Sequence, residues 1–219
     1  MIELSNVWKS YGTREVLRGV DLVVGEGEFV SIRGKSGVGK TTLLKIIGLL
    51  EPPDKGDVRL FGRSVNGLGD SERSRIRLYQ VGFVFQFFNL IPSLTVLENI
   101  ELPLALAGVG KKERRERAME LLRYFSLEEL AGRFPDTLSG GERQRIAVVR
   151  ALANNPRVVL ADEPTSSLDE ENSRLVVELL KKVNRERGVA VVVTTTDLYE
   201  KLPTHRDYLL RDGRLYEMP

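Results

Sequence analysis

Apolar positions follow two rhythms along the chain. Short runs of strand length lie at Ile2–Val7, Val20–Val24, Glu28–Arg33, Asp57–Phe61, Val81–Phe85, Val158–Ala161, Ala190–Thr194 and Tyr208–Leu210. Asp212-Gly213 is a hairpin signal that joins the last of these to Leu215-Tyr216. The early runs alternate apolar with polar residues, which predicts an antiparallel layer near the N-terminus. "VVLA" and "VAVVV" do not alternate, as expected of strands buried on both faces of a parallel sheet. Between Gln86 and Asp136 the strand rhythm stops. Thr95 and Glu98 form a capping box that opens a helix, and Lys111–Phe125 reads as an amphipathic helix. The pattern predicts an α/β fold with a mostly parallel core, an N-terminal antiparallel β layer and a helical subdomain inserted over about residues 87–155. Residues 1–219 read as one domain containing that insertion.

Composition narrows the classes. A net charge of +2, with 33 basic against 31 acidic residues, gives no strong pull on nucleic acid, so no nucleic-acid partner is expected. The run "KKERRER" at Lys111–Arg117 mixes both signs and reads as a solvated helix face. The absence of cysteine removes disulfides and thiolate metal sites and suits a reducing cytoplasm. The start "MIELSNVWKS" lacks the form of a signal peptide, and no apolar run approaches the roughly 20 residues that cross a bilayer. Work at a membrane would therefore go through a partner.

The segment "EFVSIRGKSGVGKTTLLKII" carries the firmest chemistry. A strand ends at Arg33, a glycine-rich loop follows and a helix starts near Lys40, so Gly34, Gly39, Lys40 and Thr41 fit the G-x-x-x-x-G-K-[ST] phosphate loop. Loop residues Gly34, Lys35, Ser36, Gly37, Val38 and Gly39, with Lys40, Thr41 and Thr42, are the candidate ATP-binding set. Their backbone amides wrap phosphates, Lys40 reaches the β/γ oxygens and the Thr41 hydroxyl ligates Mg²⁺. Farther on, "VVLADEPTSSLD" ends a buried strand in Asp162 and Glu163, where open α/β sheets place their ligands. Asp162 is the second metal candidate and Glu163 the candidate base for an attacking water. A second anion-binding helix start lies at "LSGGE", Leu138–Glu142.

Phosphate loop, "LSGGE" and "ADEPTSSLD", in that order and nearly end to end, make the chain resemble the ATP-binding subunits of ABC transporters. The resemblance explains the two cradles: in that family two subunits pack head to tail, and each ATP lies between one copy's phosphate loop and the other's signature. It implies that Ser139, Gly140 and Gly141 serve a second copy of this chain, Tyr11 stacks on adenine, Asp169 couples the two sites, and Gln86 contacts Mg²⁺ or the attacking water. "VFQFFNLIPSLTVLENIELPL" is similar to the lipoprotein-release and macrolide-efflux exporters. There Phe87, Phe88, Leu90, Ile91 and Leu94 would form a groove for a transmembrane permease contacted over Gln86–Glu98, on the inner face of the plasma membrane. The alternatives are a membrane-associated regulatory ATPase and a soluble ATPase acting on DNA or ribosomes. Only about a hundred residues separate Lys40 from Leu138, without the heptads of the DNA-repair members. One position departs from the family. Where a histidine holds the γ-phosphate, "VVVTTTDL" places Thr196, which implies slow hydrolysis, and the sole histidine, His205, reads as a surface residue.

Overall fold

The computed structural model describes residues 1–219. Two sheets and six helices alternate along it. Strands β1 (Ile2–Tyr11), β2 (Arg14–Val24), β4 (Lys55–Leu60) and the short β5 (Arg63–Ser64) form an antiparallel sheet in the order β2-β1-β4-β5. Strands β3 (Phe29–Arg33), β6 (Val81–Val84), β7 (Val158–Asp162), β8 (Ala190–Thr195), β9 (Arg206–Arg211) and β10 (Arg214–Glu217) form the second sheet, ordered β10-β9-β3-β8-β7-β6. It is parallel except for the β9–β10 hairpin.

The predicted periodicity determines the layers. Ile2, Leu4, Val7, Leu17, Val20 and Leu22 point inward from the first sheet and pack against Val30, Ile32, Leu160 and Val192 of the second, with α1 (Lys40–Ile47) in the same cluster. The opposite face, carrying Phe29, Val159, Val191 and Val193, is covered by α3 (Val96–Leu106), α4 (Lys111–Tyr124), α5 (Gly140–Ala151) and α6 (Glu170–Arg187). Strands β3, β7 and β8 are thus buried on both sides, which is why their sequences do not alternate.

Two features escaped the periodicity. Helix α2 (Asp70–Gln80), "DSERSRIRLYQ", buries only Ile76, so it has no apolar stripe to find. Strands β1 and β2 run on to Tyr11 and back to Arg14, well past their apolar stretches. Cross-strand pairs such as Trp8↔Arg18 and Tyr11↔Arg14 hold that half-exposed end. This extension carries the hairpin tip to the phosphate loop.

The last turn of β3 is anchored by charge. Arg33, 5% exposed, donates through Nε and Nη2 to Asp207 Oδ1 at 3.2 and 3.0 Å. Its Nη1 donates to the Asp197 carbonyl at 3.1 Å. Burial raises the Asp207 carboxyl, but hydrogen bonds from Ser31, Arg33 and Thr204 outweigh it and leave the group below the ordinary aspartate value. A depressed carboxylate contributes stability that is present above its unfolded pKa and lost as the pH falls through the folded one, here below about pH 4. Asp207→Asn leaves the Arg33 cation without its counter-charge. Discounting for the partial exposure of Asp207, it should lose about 2 kcal/mol at pH 7. Urea unfolding of both proteins at pH 7 and pH 3 checks this, since the gap must narrow in acid.

Candidate nucleotide site

Strand β3 stops at Arg33 and the chain turns into α1 through Gly34–Gly39. Gly39 sits at φ 116°, and a Cβ there would lie 2.7 Å from Val16 Cγ1 of β2, so the loop closes on the first sheet with no room for a side chain. No side chain caps α1. Helices α3, α5 and α6, by contrast, are capped by Thr95, Ser139 and Asp169. The first amides of α1 are therefore available to an anion, as a phosphate cradle requires. Arg14 Nη2 braces the loop from the hairpin tip by donating to the Gly37 carbonyl at 3.0 Å.

Lys40 lies at the bottom of the cradle, 3% exposed. Its Nζ donates to the carbonyls of Gly34 (2.7 Å) and Lys35 (3.1 Å) and stands 3.1 Å from Glu163 Oε1. The next residue, Thr41, donates from Oγ1 to Asp162 Oδ2 at 2.8 Å. Four residues more than a hundred positions apart in pairs are thus joined where β3, α1 and β7 meet. Two hard oxygen donors, Thr41 Oγ1 and Asp162 Oδ2, converge beside the phosphate cradle, and no group of three or more acidic or histidine side chains forms a cage elsewhere. That donor set fits Mg²⁺, which is held by one or two protein oxygens while phosphates and water complete its octahedron.

Tyr11 projects at the end of β1, 46% exposed. Its hydroxyl donates to Glu51, which also takes Lys45 Nζ at 3.1 Å. Burial and then the Glu51 bond raise the Tyr11 phenol, while neighbouring Thr42 pulls it the other way. The ring is thus tied to Glu51, half-exposed, with Lys9 Nζ standing over it 5.7 Å from the centroid. Gln86 follows β6 in a half-buried turn.

The aromatic stretch after Gln86 is built differently from the expectation. Phe87 points outward at 74% exposure, Leu90 packs into the helical core, and Arg143 stacks over Phe88 at 5.1 Å. Buried Asn99 holds the loop by accepting from Ile91 N (2.8 Å) and donating to the carbonyls of Ile91 and Leu94 (3.1 and 3.0 Å). A groove of about 350 Å³ does open there, but of the five expected residues only Ile91 lines it, joined by Leu78, Phe83, Leu102 and Leu106. A larger hollow of about 790 Å³ lies between the end of α4 and α6. Its charges pair locally, as in Lys181–Glu178 and Tyr124–Glu186, and it contains none of the residues above.

The signature opens α5. Ser139 Oγ accepts from Glu142 N at 3.2 Å and Glu142 Oε2 accepts from Ser139 N at 2.7 Å, leaving the amides of Gly140 and Gly141 without intrahelical partners. None of these groups bonds to the chain's own phosphate loop. Instead Gly141 packs on α6, where an added Cβ would fall 1.8 Å from Asn172 Oδ1 and 2.8 Å from Asn172 Cβ. Asn172 in turn bonds both carboxylate oxygens of Asp169 (3.0 and 2.9 Å) and receives Arg145 Nη1 (3.1 Å). Thr196 is exposed just past β8, whereas Thr194 and Thr195 are buried. His205 is exposed, and its Nδ1 accepts from Phe29 N at 2.9 Å, at the end of β3 remote from the phosphate loop. It is a surface tie and not a displaced ligand.

A family model described as "ABC transporter" matches residues 17–166, most of the chain. The chain belongs to the ABC transporter ATP-binding family. Relatives agree over nearly full length. An ABC transporter ATP-binding protein of Methanocaldococcus jannaschii, MJ0796, is 48% identical over 98% of this chain and 95% of its own. The lipoprotein-releasing system ATP-binding protein LolD of Bacteroides thetaiotaomicron is 45% identical over 98% and 99%. A dimeric structure of MJ0796 in a post-hydrolysis state bound to ADP and phosphate superposes with a TM-score of 0.91 at 46% identity, covering 100% of this chain and 98% of that one. In this ABC cassette, motif reading missed Asn172, Asn99, Arg14 and Glu51. Arg14, Glu51 and Asn172 touch Gly37, Tyr11 and Gly141 across the fold, and Asn99 ties down the loop just before its own helix; a polar residue in an ordinary helix or loop gives no local signal of either.

Proposed function

We propose that this cassette binds MgATP and hydrolyses it between two copies of the chain packed head to tail, as the power unit of a membrane transporter. The observation that carries the reading is the division of parts. One end of the molecule joins Lys40, Thr41, Asp162 and Glu163, while the signature presents unpartnered amides that serve no group of its own chain. An ATP held at Lys40 by one copy gains donors for its γ-phosphate from Ser139, Gly140 and Gly141 of a second. The LolD and MJ0796 relatives, the latter solved as a dimer, support this arrangement.

In the closed pair, the half-exposed Tyr11 ring stacks on the adenine. Lys40 and the first amides of α1 hold the phosphates. Thr41 and Asp162, with Gln86, would hold Mg²⁺, which neutralises developing charge on the phosphate oxygens. Glu163 takes a proton from the attacking water, and Asp169, fixed by Asn172 beside Gly141, links signature and reaction centre. The chain has no helix long and apolar enough to cross a membrane. A permease of the lipoprotein-release type would dock in the groove lined by Ile91 and Leu106, which overlaps the expected Gln86–Glu98 contact at Asn89 and Ile91, placing the cassette at the inner face of the plasma membrane. Isothermal titration with ATP and Mg²⁺ tests the site. Lys40→Ala should weaken binding at least about hundredfold, through loss of charge-assisted bonds, and unchanged affinity would place the nucleotide elsewhere.

Thr196 sets the rate in this reading. A threonine supplies a short neutral contact where the family has histidine, so basal turnover is slow. Thr196→His should raise kcat about tenfold with little change in ATP affinity, the worth of one charge-assisted hydrogen bond felt in the transition state. Steady-state kinetics of the two proteins decide it, and equal or lower kcat in the histidine variant contradicts it.

A further inference from the structure

We propose that Thr194 is a positioning residue that orients the Asp162 carboxylate for the metal and holds the strained backbone that presents Glu163. Strand β8 is aliphatic from Ala190 to Val193, then places a threonine at a position with no exposed surface at all. Valine has the same shape and would be at home there, whereas a hydroxyl in such a place must be bonded. Its single hydrogen goes to Asp162 Oδ1 at 2.7 Å, and its oxygen accepts from Glu163 N at 3.0 Å. The Thr194 carbonyl accepts from the same amide at 3.1 Å.

The consequences divide between the two carboxylates. With Oδ1 engaged by Thr194, Asp162 turns Oδ2 alone toward Thr41 Oγ1 and the metal side. Meanwhile Glu163 sits at φ 45°, a region that a non-glycine residue seldom occupies, and it precedes Pro164, which favours extended backbone instead. Gripping its N–H between two Thr194 oxygens holds that conformation and keeps the carboxylate beside Lys40. One hydroxyl thereby sets the relative placement of metal carboxylate and base.

The inference rests on the roles given to Asp162 and Glu163 above, and the test separates the two. Thr194→Val removes the hydroxyl at constant shape, and Thr194→Ser keeps it. In full-length protein with ADP present, Mn²⁺ affinity read by electron paramagnetic resonance should fall about tenfold in Thr194→Val. The kcat for ATP should fall roughly ten- to hundredfold, with KM changing far less. Thr194→Ser should recover both to within about threefold of wild type, the effect of a lost methyl being small beside that of a lost charged bond. Circular dichroism of each variant checks the fold. Wild-type Mn²⁺ affinity and kcat in Thr194→Val overturn the inference, as does equal loss in the valine and serine variants, which would make the residue a packing element. A wild-type chain without ATP turnover speaks against the proposed function, and the Mn²⁺ affinities then still decide the role of Thr194.

Discussion

Glu163→Gln is expected to lower ATP turnover by about 10²–10⁴-fold while ATP binding is kept. The amide matches the carboxylate in size and can still accept from Lys40 Nζ, which stands 3.1 Å from Glu163 Oε1, so the cradle keeps its shape. What it loses is basicity, since an amide oxygen does not take a proton from water near neutral pH. Binding then proceeds and product formation does not, so the variant should accumulate as an ATP-filled dimer. Light scattering should give twice the 24.6 kDa chain mass with MgATP and the single-chain mass without it. Phosphate release at the wild-type rate would remove Glu163 from the role of base.

Gly141→Ala should cut turnover by a comparable factor, on the order of 10²–10³, by a route that spares nucleotide binding to the isolated chain. The added Cβ would meet the Asn172 amide at 1.8 Å and its Cβ at 2.8 Å, so rotating the amide aside does not suffice and the start of α5 must move off α6. Overpacking of this kind destabilises by about 1–3 kcal/mol. The displacement acts twice on function. It shifts the Ser139–Gly141 amides, and it breaks the Asn172 bonds that fix Asp169. Titration of the variant monomer with ATP should give near wild-type affinity, because Lys40 and Thr41 share no contact with Gly141. A Gly141→Ala chain that dimerises and turns over normally would contradict the coupling of signature to Asp169.

What could be read from sequence followed the physics of each signal. Phosphate loop, Asp162-Glu163 and the anion-binding helix start at Leu138–Glu142 were legible because each is a short run whose function needs adjacent residues. Strands β7 and β8 were legible because burial on both faces removes alternation. Helix α2 was not, because it lies on the surface with one buried residue. The Tyr11–Arg14 hairpin tip was not, because pairing and not hydrophobicity makes it a strand. The aromatic segment after Gln86 reaches the observed groove only at Asn89 and Ile91. The lining could not be read, since Phe87 and Phe88 differ in orientation through the contacts of Arg143, Arg150 and Asn99 from other helices. Likewise Thr194 is one of three consecutive threonines, and only the β7–β8 register, Asp162↔Thr194, distinguishes it.

The central claim is that one copy's phosphate loop faces the other's signature. The chain has no cysteine, so single introduced thiols report without background. Ser36→Cys and Ser139→Cys, both at exposed positions, are placed separately in the Glu163→Gln chain, and the two proteins are mixed with a flexible bis-maleimide linker able to reach around the nucleotide. A crosslinked pair containing one of each should form with MgATP, and much less without it. Absence of that mixed pair, with both proteins shown to bind ATP, would contradict the shared site.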